Sequence, residues 1–216
     1  MNVSREPGRE PAARPLRVAV RTLGCKVNRA ESEGLAQALL GRGVELAEED
    51  EATVVVVNTC TVTGEADAKA RKAVRHALGS ERRPLVVVTG CLAALDRVGL
   101  ESLGERVVVE ADKRVLAARV ASLAQEDGAV SASGRGAPAS DAGRASSRVS
   151  RAADTFRTRA MLKIEDGCDN FCAYCIVPYA RGVPRATPLR EVVCEAETLV
   201  SAGVREIVLT GINLGR

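Results

Sequence analysis

The chain of 216 residues has no tryptophan, two phenylalanines, two tyrosines and one histidine. Most structural zinc sites draw on paired Cys-x2-Cys halves or on histidines, and the one histidine, His76, stands far from the densest group of cysteines. Residues 1–15 are polar, rich in Pro, Gly and Arg, and carry no apolar run. That excludes a signal peptide or a membrane span in this stretch, and the expected location is the cytoplasm, with no membrane partner. Net charge is +3, so the overall balance does not call for nucleic acid or a membrane surface. What is present is 46% apolar and 27% charged residues, the composition of a globular protein of one or two domains. The seven cysteines are odd in number and three share one loop, which argues against a secreted disulfide framework and for reduced thiolates that bind metal.

Cys168, Cys172 and Cys175 lie in Asp166-Gly167-Cys168-Asp169-Asn170-Phe171-Cys172-Ala173-Tyr174-Cys175. Three thiolates hold three irons of a cubane and leave the fourth open to a small ligand, whereas electron carriers normally tie every iron to protein. A zinc knuckle or a reduced structural group of cysteines is the alternative. All four aromatic rings, Phe156, Phe171, Tyr174 and Tyr179, surround this loop. Flat rings there would shield a cluster and stack on a purine; sparse aromatic usage throughout is the plainer reading.

Short β-branched runs alternate with helical patterns in the first half, which predicts βαβ units and a parallel sheet covered on both faces. Strands are expected at Leu16 to Leu23, Ala52 to Asn58, Leu85 to Thr89 and Arg106 to Val109, with a weaker one at Val44 to Leu46. Asn28 with Glu31 reads as a capping box opening a helix to about Gly41. A second helix, Glu65 to Leu78, puts Ala66, Ala70, Ala73, Val74 and Ala77 on one face and Lys69, Arg71, Lys72, Arg75 and His76 on the other. That basic stripe is an RNA contact or, more simply, a solvated face. A helix from Lys113 to Leu123 closes this part. Residues 1–15 are expected to be a disordered tail, 16–125 the first domain, 126–154 a flexible Ala/Ser/Gly/Arg linker and 155–216 a second domain. In the second domain a strand at Thr158 to Ile164 precedes the cysteine loop, a helix at Leu189 to Ala202 follows, and Glu206 to Thr210 forms the next strand. The helix carries Leu189, Val192, Val193, Ala196, Leu199 and Val200 on one face, with Cys194 pointing elsewhere as an odd thiol without a role. One βαβ unit cannot bury its own apolar surface, so this domain reads as cut short.

Cys25, Cys60 and Cys91 each follow a predicted strand, in Leu23-Gly24-Cys25, Asn58-Thr59-Cys60 and Thr89-Gly90-Cys91. In a parallel sheet all carboxyl ends share the edge where ligands bind, so these thiols are expected to converge as a second metal or cluster site. Gly24 and Gly90 would let the backbone turn beneath a bulky ligand. Inert burial is the alternative for any single one of them.

Thr22-Leu23-Gly24-Cys25-Lys26-Val27-Asn28 with Glu31-Ser32, Asn58-Thr59-Cys60-Thr61-Val62-Thr63-Gly64-Glu65-Ala66-Asp67, Val88-Thr89-Gly90-Cys91 and Cys175-Ile176-Val177-Pro178-Tyr179-Ala180-Arg181-Gly182 resemble the radical S-adenosylmethionine (SAM) methylthiotransferases. The wording of Lys26-Val27-Asn28, Cys60 to Asp67 and Leu162 to Cys172 is most similar to the branch acting on threonylcarbamoyladenosine in tRNA. The resemblance covers residues 16 to 216 apart from the linker. It implies an N-terminal Rossmann-like methylthiotransferase domain followed by the first βαβ unit of a radical SAM partial (β/α) barrel. It also implies two 4Fe-4S clusters, an auxiliary one on Cys25, Cys60 and Cys91 and a SAM-binding one on Cys168, Cys172 and Cys175. Tyr174 takes the place of the aromatic by the SAM adenine, and Thr210-Gly211 that of the segment near the SAM methionine amino group.

The implied activity is radical addition of a methylthio group to C2 of the modified adenosine beside the anticodon. The implied partners are tRNA, a low-potential electron donor such as flavodoxin or ferredoxin, and a sulfur source. Within the family the alternatives are isopentenyladenosine in tRNA and a ribosomal protein aspartate. Outside it stands a non-catalytic iron-sulfur or zinc binding module. The sequence departs from the family at Val183-Pro184-Arg185-Ala186-Thr187-Pro188, which lacks some of the usual basic residues, and in having no further barrel strands or RNA-binding β-barrel after Arg216. The expectation for the chain is a C-terminally truncated methylthiotransferase with impaired activity.

Overall fold

A computed structural model describes residues 16–127 and 159–215. The tail 1–15, Phe156 and the linker beyond residue 127 lie outside the described residues. Strands β1 (Arg17–Thr22), β2 (Glu45–Leu46), β3 (Val54–Thr59), β4 (Leu85–Gly90) and β5 (Val107–Val109) form one parallel sheet in the order β2-β1-β3-β4-β5. This is an α/β fold of the doubly wound kind: the chain leaves β1 toward one edge, then returns across it to build β3, β4 and β5 on the other side. The crevice between the ends of β1 and β3 is the switch point of that order.

The central strand explains why the sheet forms. Val54, Val55, Val56 and Val57 have no exposed surface, and β-branched side chains suit a pleat covered on both faces. Their period of two sends alternate valines to opposite layers. Val54 and Val56 pack with Leu35, Leu39, Leu116 and Val120, from helices α1 (Lys26–Leu40) and α5 (Lys113–Asp127). Val55 and Val57 pack with Ala70, Val74, Leu92 and Leu100, from α2 (Gly64–Leu78), α3 (Cys91–Leu95) and α4 (Arg97–Glu101).

Several expectations change here. Helix α1 starts at Lys26 with Cys25 as its N-cap and no side-chain cap, so Asn28 and Glu31 are not a capping box. Both sit inside the helix and use their polar atoms across the molecule instead. The helix expected at Lys113 to Leu123 extends to Asp127 as α5, so residues 126 and 127 are helical rather than linker. Of the basic residues on α2, Arg71 pairs with Asp96 and Lys69 with Glu65, while Lys72, Arg75 and His76 face solvent.

Strand β6 (Arg159–Lys163) pairs in parallel with β9 (Glu206–Thr210), Arg159 opposite Glu206 and Lys163 opposite Thr210. Between them run β7 (Glu165–Asp166), the cysteine loop, α6 (Val177–Arg181), β8 (Arg185–Ala186) and α7 (Leu189–Ser201), with β7 antiparallel to β8. The core of this part is small: Ala160, Leu199 and Val204, with Ile207 against them. The predicted apolar face of α7 is mostly uncovered; Leu199 is buried, but Leu189, Val193 and Val200 are exposed. Cys194 is exposed as well.

The turn after β4 shows why glycine stands there. Gly90 has φ +93°, and a Cβ on it would lie 2.3 Å from the Thr59 carbonyl oxygen and 2.7 Å from the Thr59 nitrogen. The close neighbour is backbone of the adjacent strand. Gly90→Ala is expected to destabilise by well over 1 kcal/mol, combining left-handed strain with a backbone clash. Gly64→Ala, where nothing lies within 4 Å, should be neutral or stabilising by up to about 1 kcal/mol through helix propensity. Thermal unfolding of the two variants against the parent checks the pair.

Candidate functional site

Cys25, Cys60 and Cys91 follow β1, β3 and β4, three adjacent strands whose carboxyl ends lie on one edge. Neighbouring strands run about 4.8 Å apart, so the three loops meet within a small region. Gly24 (φ +94°) packs directly on the middle loop, since a Cβ there would be 2.3 Å from Cys60 Cβ and 2.6 Å from its Sγ. Cys60 and Cys91 are buried and Cys25 is exposed; all are free thiols. Burial pushes the Cys91 thiol up, against the opposing pull of the positive charges on Arg181 and Lys113.

Beneath this edge a layer of polar groups ties the strand ends together. Asn28, fully buried, donates from Nδ2 to the carbonyl oxygens of Leu23 (2.9 Å) and Thr59 (2.7 Å). Asn58 donates to the Asn28 carbonyl (2.9 Å) and to Ser32 Oγ (3.0 Å), and Thr59 Oγ1 to the Thr89 carbonyl (2.6 Å). Buried polar groups satisfied in this way fix one geometry, because any slip leaves a donor unpaired. The residues preceding all three cysteines are thereby held.

The second group is carried by the loop between β7 and α6. Cys168 and Cys175 are partly exposed and Cys172 is exposed. Cys168 donates its backbone N–H to Gly182 O and Cys175 to Cys172 O, both at 2.9 Å, which folds the loop back on itself and on the end of α6. Phe171 and Tyr179 meet edge to face with centroids 5.6 Å apart, while Tyr174, 91% exposed, stands free at the rim. Thr210 is buried at the end of β9. Just beyond it, Glu165 Oε2 accepts from the backbone N–H groups of Ile212 (2.6 Å) and Asn213 (2.8 Å). Glu165, Cys168, Asp169, Pro184, Ala186 and Asn213 line a cavity of about 270 Å³. The loop after β9 and the first cysteine of the second group thus share one cavity.

Between the two cysteine groups lies a set of charges that the sequence reading did not single out. Arg181 Nη1 donates to Glu31 Oε1 (2.9 Å) and to Asp166 Oδ1 (2.8 Å), and its Nη2 donates to Asn28 Oδ1 (2.6 Å). Lys163 bridges Glu31 and Asp166 at 3.0 Å each, and Lys113 reaches Glu31 Oε2 at 2.5 Å. The side chains of Arg181 and Glu31 are 3% and 7% exposed. Burial pushes the Glu31 carboxyl up, but Lys113, Arg181 and Lys163 together outweigh it and hold the group below its ordinary value. Burial also opposes ionisation of Asp166, and Arg181 and Lys163 bring it down to about 2. The available signal was positional: Asp166 is two residues before Cys168, and Arg181 stands next to last in the quoted motif that ends at Gly182.

Among the described residues no three His, Cys, Asp or Glu side chains are gathered tightly enough to hold one metal ion. Thiolates on a single ion, each about 2.3 Å from it, lie about 4 Å from one another. Ligands on separate irons of a cage are not bound by that limit. The donor set of each group is three soft sulfurs, which suits iron-sulfur chemistry.

Residues 17–110 match the family described as "Uncharacterized protein family UPF0004". The chain is 38% identical over 201 residues to the threonylcarbamoyladenosine tRNA methylthiotransferase MtaB of Bacillus subtilis (strain 168), a match covering 92% of this chain and 44% of the relative. It is 33% identical over 201 residues to the protein of that name from Thermotoga maritima, with 92% and 44% covered. To the tRNA-2-methylthio-N(6)-dimethylallyladenosine synthase of Novosphingobium aromaticivorans it is 33% identical over 214 residues, with 94% and 45% covered. Over the residues these matches cover, the chain is similar to proteins named as tRNA methylthiotransferases. It spans less than half the length of these curated relatives.

The buried carboxylate yields a pH prediction. A group held below its ordinary value of 4.5 contributes stability at higher pH, and that contribution is lost as the pH falls through and below 4.5. Glu31→Gln, which leaves three cations facing Asp166 alone, should cost about 3–5 kcal/mol at pH 7. The gap between parent and variant should narrow toward pH 3, measured by urea unfolding across that range.

Proposed function

We propose that the chain carries the sulfur-bearing half of a tRNA methylthiotransferase, acting on N6-threonylcarbamoyladenosine next to the anticodon. In this reading residues 16–125 are the methylthiotransferase domain and 155–216 the opening βαβ unit of a radical SAM barrel. The observation that carries it is the pairing of two three-thiol groups across one buried charge network. An electron carrier normally ties every iron of its clusters to protein, whereas a group of three thiols leaves one iron open to a further ligand.

Cys168, Cys172 and Cys175 would hold the cluster to which SAM binds, and Cys25, Cys60 and Cys91 the auxiliary one. When bound, these groups supply the one-electron and sulfur chemistry needed at an unactivated adenine carbon. The rest is the work of this chain's residues. Glu165 pins the loop after Thr210 and Gly211 through two backbone N–H groups, setting the wall of the cavity beside Cys168. Tyr174, Phe171 and Tyr179 present rings at the rim, suited to stacking on a base. On the other side of the sheet edge, Gly24, Cys25 and Lys26 open into a cleft of about 780 Å³ that runs along α1 to Met161. A nucleoside placed there would lie against the exposed thiol of the first group.

The choice of threonylcarbamoyladenosine rests on the branch wording around Cys25, Cys60 and Cys168 and on the names of the relatives from Bacillus subtilis and Thermotoga maritima. Cytoplasmic location, a flavodoxin or ferredoxin donor and a separate sulfur source belong to the same reading.

Anaerobic reconstitution with iron and sulfide tests the two groups. The parent chain should take up two clusters, and Cys168→Ala with Cys172→Ala and Cys175→Ala should lose SAM cleavage and one cluster while keeping the other. Loss of both clusters, or uptake of stoichiometric zinc without visible absorption, would favour a plain metal-binding module. Mass spectrometry of tRNA nucleosides from a strain lacking the gene addresses the substrate: disappearance of the methylthio form of threonylcarbamoyladenosine supports the assignment, and loss of the isopentenyladenosine derivative instead refutes it.

A further inference from the structure

Among the described residues five buried side-chain oxygens have no hydrogen-bond partner, and three of them, Glu33 Oε2, Asn58 Oδ1 and Thr89 Oγ1, belong to residues that line one cleft. This cleft, about 690 Å³, lies between α1 and α5; it shares Glu33, Gln37 and Met161 with the cleft that opens at Cys25, so the two adjoin. Its floor is the carboxyl end of the sheet. Asn58 and Thr89 stand opposite each other in the β3–β4 ladder, 2% and 1% exposed, on the face that Val56 and Val87 give to α1 and α5. Both Asn58 Nδ2 donors are taken, by the Asn28 carbonyl and Ser32 Oγ, so its oxygen is what remains. Buried oxygens left in this way cost about 1–3 kcal/mol each and call for a donor.

The wall beside that floor is positive. Lys113 and Lys163 line it, and with Arg181 they bring three cations to two carboxylates, Glu31 and Asp166. An ammonium carries three donors, and among the described residues Lys113 meets one carboxylate, Glu31. The other charges at the cleft are Arg42, on the Ala38 carbonyl, Arg114, on Asp112, Glu33, on Arg29, and Glu195 from α7. The cleft therefore suits a small group that brings a carboxylate, a hydroxyl and N–H donors together. A threonylcarbamoyl substituent has all three, and an isopentenyl substituent has none. The chain is 33% identical both to a relative named for the first modification and to one named for the dimethylallyl form, so overall identity does not separate the two substrates.

We infer that the cleft between α1 and α5 is the specificity pocket for the threonylcarbamoyl substituent, with Lys113 and Lys163 taking its carboxylate, Asn58 an N–H and Thr89 its hydroxyl. This rests on the substrate reading above. The adenine lies in the adjoining cleft against Cys25, and the substituent crosses beside Met161 into the second. A site built to hydrogen-bond a polar substituent rejects an apolar one strongly, because its own buried polar groups are then left unpaired.

The chain has two methionines, Met1 and Met161, so isotopic labelling of methionine methyls puts one magnetic resonance reporter on the wall common to both clefts. The full chain, kept reduced, is titrated with N6-threonylcarbamoyladenosine, its carboxyl methyl ester and N6-isopentenyladenosine. The first should shift the Met161 signal saturably, and the other two should bind at least about tenfold more weakly, the loss expected for a charge-assisted hydrogen bond. Lys113→Gln should weaken the acid by a similar factor and leave the ester unchanged. Thr89→Val separates binding from packing: removing an unpartnered hydroxyl raises the melting temperature in either case, but here it should also weaken the acid several-fold. Equal binding of acid and ester, no shift of Met161, or a Thr89→Val variant with unchanged affinity overturns the pocket while the substrate assignment stands. Should Lys113→Gln not fold, the ester and Thr89→Val decide. Loss of the isopentenyladenosine derivative in the strain lacking the gene overturns the substrate reading, and the pocket falls with it.

Discussion

The buried pairing of Arg181 with Glu31 is the contact on which the relation between the two cysteine groups depends. Glu31 belongs to α1, which packs on the five-stranded sheet, and Arg181 ends α6, which follows the Cys168 loop. Taking both charges out of water costs several kcal/mol each, and their attraction roughly returns that cost when geometry and hydrogen bonding are good. Such a pair contributes little net stability but much to uniqueness. Apolar surfaces slide over one another at small cost, whereas a guanidinium with three partners within hydrogen-bonding reach, Glu31, Asp166 and Asn28, has one seat. Lys113 and Lys163 complete the arrangement from α5 and β6, so four elements are fixed by a single cluster of charges.

The sheet supplies the rigidity this requires. With Val54 to Val57 wholly enclosed and helices on both faces, β3 cannot shift without opening two cores. Its carboxyl end delivers Cys60, and the Asn28, Asn58 and Thr59 side chains carry that fixed position to the ends of β1 and β4. Hydrophobic burial places the strands; the polar layer above it decides where each sulfur stands.

Much of this was readable in advance. Unbroken valine runs announce strands covered on both faces, and the order of strands and helices announces the parallel sheet. Glu206 to Thr210 needed no adjustment, since a β-branched run flanked by a glycine stop is unambiguous. The short pieces were not readable: α3, α4 and α6 have five residues each, too few for a period to show, and β7 with β8 is held by pairing rather than pattern. Asn28 and Glu31 misled for a physical reason. Their spacing is that of a helix start, and what sets them inside α1 is a set of partners up to 153 residues away, including Arg181. Gly24 and Gly90 were read as tight turns, and the turns are there: Gly24 is pressed by Cys60 and Gly90 by the end of β3.

The small core under α7 has a consequence for how the molecule responds to its surroundings. Ala160, Leu199 and Val204 bury little area, so the β6–β9 pair leans on charge far more than the valine sheet does. Urea and heat attack apolar burial, while acid strikes first at carboxylates. The same protein therefore has two seams of different material, and the one that parts in acid is the one running between the sulfurs.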